Sequence, residues 1–573
     1  MATGNTNNPP KKQCAVQLTG PDELIFNKSK LVSMPGRHQI LCRVEAVGLC
    51  FSDLKLLKQF SHHPRKIEII SGIAPETLKE IPSYVPDEAP TVPGHEAVVR
   101  IEIVGEDVSN FKPGERYLVQ TDYRWLKNTD SNASFGYNFE GALQEYVLMD
   151  ERVITSPEGK SMLIPVSEKL SASAIALVEP WACVEDAYAS KQRHQLKADG
   201  KMLVIADTEV SANIFGNLLK RHSRPACITW VSEFAEPAGL DVPIVKATGT
   251  SRLSDASYDD VIYFGSNAGV VESLFDKLAP QGLMNIVLCG GRFGRDVVTP
   301  AGRVHYGGIR IIGTKGTDPA QSMKNIPETG EVRAGDRINV IGAGGPMGIM
   351  HVIRNICRGV ENISVFAGDV AEDRLAVISR IAGPLAVKNN INFTAYNPKK
   401  EEPAENFEYT VLMVPSAELV AASVKKTAKR GIINIFAGIP ADVSEKIDLD
   451  AYIEKQLYFI GTSGSVLEDM NVVLKKAESE RLDTNVSVAA VCGLDGASEG
   501  IRAVESRSIA GKIIVYPTCK GLGLTLLKEM HEKIPEVAQC LNNGIWNKKA
   551  EETLLEIKLN TKFFTGGHLK KQT

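Results

Sequence analysis

The sequence lacks the features expected of a membrane protein, a nucleic-acid-binding protein or a disulfide-stabilised protein. Among its 573 residues, no run approaches the roughly 18 apolar residues of a membrane helix, and Met1 to Gln13 do not read as a secretion signal. Its 65 lysines and arginines nearly balance 69 acidic residues, so neither nucleic acid nor an anionic membrane is favoured as a partner. Its ten cysteines show no paired spacing, which is typical of a reducing compartment. We therefore expect a cytoplasmic, multidomain protein that acts on a small molecule.

Three short segments carry residue types that bind zinc: Gly48 to Asp53, Pro93 to Glu96, and Val178 to Pro180. A catalytic zinc takes about three nitrogen, sulfur or oxygen ligands from the protein and keeps one position open. The first segment offers a thiolate, the second an imidazole and a carboxylate, and the third another carboxylate. The predicted metal ligands are Cys50, His95, Glu96 and Glu179. Cys183 is the alternative to Glu179, because both lie in one alanine-rich stretch with helical spacing (171–195).

A glycine-rich loop predicts a dinucleotide site later in the chain. The buried-strand pattern Arg337 to Ile341 leads into the glycine loop 342–348 and then into a helical run, Ile349 to Arg358. Glycines let the pyrophosphate approach the backbone N–H groups at the helix start. About twenty residues further on, a strand ends at Asp369, whose carboxylate would bind the ribose hydroxyls and favour NAD over NADP. The predicted cofactor-binding residues are Gly342, Gly344, Gly345, Pro346, Met347, Gly348, Asp369 and Arg374.

This nucleotide-binding unit has a partner copy earlier in the chain. Residues 258–261, 285–286 and 312–316 match 407–410, 434–435 and 460–464 in nearly constant register, which indicates an internal duplication. In the first copy the glycines are replaced by Ala206, Thr208, Glu209 and Ala212. Their side chains would obstruct a pyrophosphate, and the Glu209 carboxylate would repel it. We therefore predict a degenerate first copy and one NAD per chain.

Taken together, these motifs resemble the zinc-dependent medium-chain alcohol and polyol dehydrogenases. Residues 108–117 and 141–146 are similar to the catalytic domain of that family, and 135–139, 178–180 and 345–348 suit its branch active on polyols and sugars, including enzymes like L-sorbose 1-phosphate reductase. The resemblance implies an α/β protein. It would have a GroES-like β-barrel catalytic domain, a Rossmann domain with a doubly wound parallel sheet, a second degenerate Rossmann-like domain inserted between them, and a helical C-terminal tail. It also implies a homo-oligomer.

The expected domain boundaries follow from these assignments. They are 1–195 for the N-terminal part of the catalytic domain, 196–330 for the degenerate copy, 331–464 for the NAD-binding domain, 465–517 for the return to the catalytic domain, and 518–573 for the tail. Two departures from the family stand out. An insertion between Asp53 and Pro93 includes His62 and His63, which we expect to be solvated loop residues. Residues 117–141 contain no cysteine, so one catalytic zinc and no structural zinc is expected.

The implied reaction is hydride transfer between NAD and a secondary alcohol of a polyol, sugar or sugar phosphate. Zinc would lower the pKa of the substrate hydroxyl. Ser52 would carry the proton, with Lys55 as the next step toward water; Glu96 is the third predicted catalytic residue, because its carboxylate can complete or exchange in the metal shell. Asp53 would orient His95. The alternatives are an NAD-retaining epimerase or lyase that oxidises a sugar transiently, and a non-enzymatic binding protein on the same fold.

Overall fold

The computed structural model describes residues 9–401, 403, 406–462 and 464–564, which form two compact units. Unit 1 contains the residues up to Ala182 and those from Ser465 onward, and unit 2 is Cys183–Gly464. The first division falls inside the helix Val178–Ala189, upstream of the expected boundary at residue 195. Residues 565–573 of the predicted tail lie outside the described residues, as do residues 1–8.

The N-terminal part of unit 1 is built mainly of antiparallel strands. Its strands are β1 (Lys12–Gly20), β2 (Glu23–Leu31), β3 (Gln39–Gly48), β4 (Glu96–Val104), β5 (Arg116–Val119), β6 (Asp122–Lys127), β7 (Asn132–Ser134), β8 (Tyr146–Asp150) and β9 (Leu163–Pro165). Its helices are α1 (Phe51–Gln59), α2 (Pro75–Lys79), α3 (Glu151–Ile154), α4 (Ala172–Ala176) and α5 (Val178–Ala189). β3 and β4 are rich in β-branched residues and pair along their whole length, as expected for a largely buried strand pair.

Unit 2 begins with the first nucleotide-binding copy. Its strands are β10 (Lys201–Ala206), β11 (Cys227–Val231), β12 (Ile244–Lys246), β13 (Tyr258–Phe264), β14 (Leu278–Val287), β15 (Val297–Thr299) and β16 (Arg310–Thr314). Its helices are α6 (Ala212–Arg221), α7 (Ala268–Leu274), α8 (Ala301–Tyr306) and α9 (Pro319–Met323). Six strands form a sheet in the order β12-β11-β10-β13-β14-β16, and every pairing in it is parallel.

The second copy repeats this arrangement. Its strands are β17 (Arg337–Ile341), β18 (Ser364–Gly368), β19 (Asn392–Tyr396), β20 (Phe407–Leu412), β21 (Thr427–Ile435), β22 (Glu445–Ile447) and β23 (Tyr458–Ile460). Its helices are α10 (Pro346–Cys357), α11 (Glu372–Asn389), α12 (Ala417–Lys426) and α13 (Leu449–Lys455). The sheet order, β19-β18-β17-β20-β21-β23, is the same as in the first copy and is that of a doubly wound dinucleotide-binding fold. The predicted fold class, with its duplicated Rossmann-like unit, is confirmed.

The chain then returns to unit 1 with the last strands and helices. These are α14 (Leu467–Glu478), β24 (Val488–Cys492), α15 (Leu494–Ser506), β25 (Lys512–Val515), β26 (Thr525–Leu526), α16 (Met530–Lys533), α17 (Pro535–Ala538) and α18 (Lys548–Phe564). β25 pairs antiparallel with the end of β3, where Ile514 lies opposite Gly48. This pairing completes an eight-stranded sheet in the order β26-β24-β25-β3-β4-β5-β9, with β8 also on β3. The residues that follow Gly48 therefore lie beside a strand contributed by the C-terminal part of the chain.

The C-terminal tail packs into unit 1. The Glu551 carboxylate of α18 accepts hydrogen bonds from the backbone N–H groups of Ala172 and Ser173 at 2.6 and 2.9 Å, and Trp546 is fully buried. The contact is favourable because it places a negative charge against unpaired donors at the start of a helix. In the described part of the chain, no helix has both the length and the apolarity to span a membrane.

Candidate metal and cofactor sites

The described residues include one cluster of metal-binding side chains in unit 1. One ligand atom from each of Cys50, His95 and Glu96 lies within 4.8 Å of the other two. Cys50 precedes α1, whereas His95 and Glu96 lie at the start of β4, so two separate segments meet here. A thiolate, an imidazole and a carboxylate form a donor set that suits zinc.

Asp53 joins the two segments that carry these side chains. Its Oδ2 atom accepts a hydrogen bond from the Cys50 backbone N–H at 3.0 Å, which caps the start of α1. Its Oδ1 atom accepts from Gly94 N–H at 3.1 Å and lies 3.2 Å from His95 Nδ1. Burial alone would raise the pKa of Asp53, but attraction to His95 and the hydrogen bonds from His95 and Cys50 lower that pKa. The carboxylate therefore stays charged and fixes His95 through Nδ1, which would leave Nε2 for a metal.

Glu96 is held by a lysine from the C-terminal part of the chain. The Lys512 ammonium group donates to Glu96 Oε1 and, at 2.7 Å, to the Leu49 carbonyl oxygen. Burial opposes the lysine's charge, but the Glu96 carboxylate, with further contributions from Cys50 and Glu179, raises the pKa of Lys512. Lys512 therefore keeps its positive charge inside the protein, where it needs a negatively charged partner.

The second oxygen of Glu96 fits a metal ligand. Glu96 is fully buried, and its Oε2 atom has no hydrogen-bond partner in the described part of the chain. A buried carboxylate oxygen is costly to leave unpaired, and a cation bound beside Cys50 and His95 would satisfy it. Gly48 makes room for this oxygen, because a Cβ atom at that position would collide with Oε2.

Glu179, near the start of α5, is buried but is not one of the three atoms in the tight cluster. Burial, reinforced by the Glu96 carboxylate, raises the pKa of Glu179 to about 7, while His95 and Lys512 act in the opposite direction. The Glu179 carboxyl group is therefore buried within electrostatic range of Glu96, His95 and Lys512. Cys183, the alternative in the sequence, is not in the cluster either.

The two predicted proton-carrying residues lie on α1. The Ser52 hydroxyl is 3.7 Å from the Cys50 sulfur, and Ser52 is half-buried, whereas Lys55 is exposed. Residues three apart share one face of a helix, so the pair runs from the cluster toward solvent. The Lys55 ammonium group lies 5.9 Å from the Phe51 ring centroid.

The prediction that His62 and His63 are solvated loop residues is wrong for His63. His62 is exposed, but His63 is buried, and its ring centroid lies 5.0 Å from that of Tyr137. The same Tyr137 ring lies 5.7 Å from the ring of His95. Burial, followed by repulsion from Arg65, Lys55 and His95, lowers the pKa of His63 to about 4. The insertion thus adds a neutral imidazole that packs on Tyr137, the same ring that His95 contacts.

In unit 2, the glycine loop of the second copy follows β17 directly and leads into α10. Pro346 occupies the first turn of α10, which suits a residue without an N–H group and explains why the helix begins before the expected Ile349. Gly344 donates its backbone N–H to Asp369 Oδ2 at 2.9 Å. A Cβ atom at Gly344 would lie 2.5 Å from Arg374 Cβ and 2.9 Å from that carboxylate oxygen. Glycine is therefore required here by the close approach of the two predicted ribose-side residues.

The first copy differs at both of these places. The paired strands make Ile205 and Val231 equivalent to Ile341 and Gly368, so Ser232 takes the place of Asp369. The Ser232 hydroxyl donates to the carbonyl oxygen of Ala206 at 2.7 Å. In the glycine-loop position, Asp207 accepts a hydrogen bond from the Tyr263 hydroxyl. An open cavity of about 610 Å³ remains at this edge of the sheet, lined in part by Asp207, Thr208, Asn267 and Arg295.

The fold can be compared with that of known proteins. Residues 36–158 match the alcohol dehydrogenase GroES-like domain family, and the mixed sheet of unit 1 with the parallel sheets of unit 2 is the architecture of medium-chain dehydrogenases. The predicted resemblance is therefore confirmed. The solved structure of 2R,3R-butanediol dehydrogenase from Bacillus subtilis shares this fold at a TM-score of 0.51 and 14% identity, covering 88% of this chain and 100% of that one.

Two curated relatives extend the comparison. L-sorbose 1-phosphate reductase of Klebsiella pneumoniae is 29% identical over 153 residues, 26% of this chain and 36% of the relative. A zinc-type alcohol dehydrogenase-like protein of Schizosaccharomyces pombe is 23% identical over 270 residues, 46% of this chain and 61% of the relative. The chain thus spans less than two thirds of the length of either relative.

Proposed function

We propose that the protein is a zinc- and NAD-dependent oxidoreductase acting on a secondary alcohol of a polyol, sugar or sugar phosphate. The observation that carries the proposal is the cluster of Cys50, His95 and Glu96, in which a buried carboxylate oxygen lacks a partner among the described residues. The names of the two relatives, one zinc-type and one acting on a sugar phosphate, support the metal and the substrate class.

Four side chains would hold the metal. Cys50, His95 and Glu96 supply the clustered ligand atoms, and Glu179 offers a further carboxylate. A bound zinc ion would lower the pKa of a substrate hydroxyl and position it. Asp53 keeps His95 in one orientation through Nδ1. Lys512 restrains one oxygen of Glu96 and leaves the other for exchange.

The proton from the alcohol would leave along α1. Ser52 Oγ, close to the Cys50 sulfur, would take up this proton as its own hydroxyl proton leaves. Lys55, at the exposed end of the same face, would take up that proton as it releases one of its ammonium protons to water. His63 stays neutral near pH 7 because its pKa is about 4, so it adds no positive charge beside the substrate. Its imidazole can therefore accept a hydrogen bond as well as donate one.

The second copy would hold the cofactor. The loop from Gly342 through Pro346, Met347 and Gly348 would receive the pyrophosphate at the start of α10, where N–H groups are unpaired. Asp369 would accept from the ribose hydroxyls and exclude a 2′-phosphate, with Arg374 beside it. Bound NAD would supply the hydride acceptor. The ten cysteines show no paired spacing, which supports a cytoplasmic location.

Metal analysis combined with an NAD-reduction screen over polyols, sugars and their phosphates tests this proposal. We expect one zinc per chain and NADH formed in equal amount to product. Cys50→Ser and His95→Ala should each lose most of the zinc and on the order of a hundredfold of activity. Cys227→Ser, a cysteine in the first copy, is the matched control and should change neither.

Two results would change the assignment. Full zinc occupancy with normal turnover in both ligand variants would remove the metal site. Product formed with catalytic NAD and no net NADH would favour transient oxidation, as in an epimerase or lyase.

A further inference from the structure

The two copies in unit 2 contact each other through equivalent surfaces. Gly313 and Gly461 are equivalent, because each is the middle residue of an Ile-Gly-Thr sequence in the last strand of its sheet. Counted back from these two glycines, His305 is equivalent to Ile453, and Val298 is equivalent to Lys446.

The first such contact is the strand pair β15 and β22. The two strands run antiparallel, with Val298 opposite Lys446, Val297 opposite Ile447, and Thr299 opposite Glu445. Val298 thus lies opposite its own equivalent, and the two flanking pairs exchange roles between the copies. This is the register that a two-fold axis through the centre of the strand pair requires.

A second pair of contacts is reciprocal in the same way. A Cβ atom at Gly313 would lie 2.7 Å from the side chain of Ile453 in the second copy. A Cβ atom at Gly461 would lie 2.8 Å from Cα of His305 in the first copy. Because His305 and Ile453 are equivalent, each copy places the same helix position on the same glycine of the other.

A third contact follows the same rule. Asp450 of the second copy accepts hydrogen bonds from the backbone N–H groups of Phe293 and Gly294, each at 3.0 Å. The equivalent of Asp450 is Gly302, where a Cβ atom would collide with the Pro440 carbonyl oxygen and lie 3.1 Å from Ala441 Cα. Phe293 and Gly294 lie in the loop before β15, and Pro440 and Ala441 lie in the loop before β22, so the same helix position again meets the same loop with the copies exchanged.

The face between the copies has a buried apolar centre. Val297, Val304, Ile447 and Leu449 are each completely buried, and they belong to one hydrophobic cluster drawn from both sheets. Burial of this kind is what a permanent subunit interface provides. The two copies, expected as separate domains, therefore form one unit.

We propose that the first copy serves as a built-in partner subunit for the cofactor-binding copy. In the isologous interface of a symmetric homodimer, if position i of one subunit contacts position j of the other, then position j of the first contacts position i of the second. The contacts between the two copies follow this rule within one chain. The first copy keeps this interface and lacks the glycines of the cofactor loop. This face is consequently occupied, and two chains do not dimerise through it.

Cysteine pairing at the axis tests the proposal in the full-length protein. Side chains directly opposite in an antiparallel pair are about 5 Å apart at Cβ, within reach of a disulfide after a small adjustment. The variants are Val298→Cys, Lys446→Cys and the double variant. Each variant is mildly oxidised, treated with an alkylating reagent that blocks free thiols, and run on a non-reducing gel. Intact-mass analysis counts the alkylated thiols, and the wild type treated in the same way is the reference.

We expect the double variant to form a disulfide within one chain: its two introduced thiols should escape alkylation, so that it carries as many blocked thiols as the wild type, and it should run as a monomer. Both single variants should stay monomeric and fully alkylated.

Disulfide-linked dimers of the double variant would mean that the copies pair between chains. Dimers of a single variant would mean that two identical copies face each other, since each position lies on the axis. A double variant that stays fully alkylated would show that β15 and β22 are not paired. Each of these three results would overturn the proposal.

Discussion

The two nucleotide-binding copies of unit 2 share one strand order but differ where a cofactor would bind. The second copy has a glycine at the turn after its first strand and a carboxylate, Asp369, at the end of the next. The first copy has Ala206 and Ser232 at the equivalent places. The parallel sheet depends on many apolar positions, whereas the ligand site depends on a few polar and glycine positions. A site can therefore be lost while the fold and its interface remain.

The largest effect is expected when the second copy is given the cofactor loop of the first. In Gly344→Thr with Gly345→Glu, a side chain would press on Arg374 and Asp369, and a carboxylate would face the pyrophosphate. We expect NAD affinity, measured by isothermal titration, to fall by on the order of a thousandfold.

The matched control makes the reverse change in the first copy, Thr208→Gly with Glu209→Gly. It should leave NAD affinity at the wild-type value, because Ser232 still replaces the ribose carboxylate. Retention of NAD binding in the second-copy variant, with an unchanged melting temperature, would contradict the assignment of the loop.

The second prediction gives the second copy only the residue that the first copy has at the ribose-binding position. Asp369→Ser removes an acceptor whose two oxygens are already placed by Gly344 and Ala371 N–H groups. NAD should bind about thirtyfold to a hundredfold more weakly, and the preference for NAD over NADP should shrink because the repulsive charge is gone. Titration of both cofactors against both proteins measures this; an unchanged preference would mean that another residue reads the ribose.

The third prediction concerns the protonation of His63 in unit 1. The pKa of His63 is lowered from 6.5 to about 4 in the folded protein, so its stabilising contribution is complete above pH 6.5 and is lost as the pH falls toward 4. Between pH 7 and pH 5 the wild type should therefore lose about 2 kcal/mol of stability that His63→Asn does not lose.

Urea unfolding at the two pH values measures that difference. The exposed neighbour provides the control, since His62→Asn should follow the wild type at both pH values. A His63→Asn protein with the wild-type pH dependence would show that His63 is protonated as easily in the folded state as in the unfolded one.

The smallest predicted effect lies in the first copy. Asp207→Asn weakens the hydrogen bond from Tyr263 and should cost about 1 kcal/mol of stability at most. Turnover and NAD affinity should stay within twofold of the wild type, because no step of the proposed reaction uses this copy. A larger loss of turnover would mean that the degenerate copy contributes to the chemistry.

The fold could be predicted because its signals are local and repeated. The strand Arg337 to Ile341, the glycine turn and the following helix lie within one short stretch, and the duplicated registers of residues 285–286 and 434–435 showed that the unit occurs twice. The interface between the copies could not be predicted in this way. It depends on pairing between β15 and β22, which are distant in the sequence and only three residues long.

The candidate metal site was predictable in part. Cys50, His95 and Glu96 stand in recognisable patterns, and Asp53 orients His95 as expected. Lys512 was missed, because a lysine beginning a C-terminal strand gives no local sign that it will meet Glu96; its only signal was a charge adjoining the apolar run Ile513 to Val515. His63 was misjudged because its burial depends on packing against Tyr137, which no nearby pattern indicates.

Equilibrium titration of the full-length protein with NAD counts the working cofactor sites and so decides whether one copy or both bind NAD. We expect one NAD per chain, and no binding once Gly344→Thr and Gly345→Glu are introduced. Two NAD per chain, or one NAD that survives this double substitution, would show that the first copy is a working site.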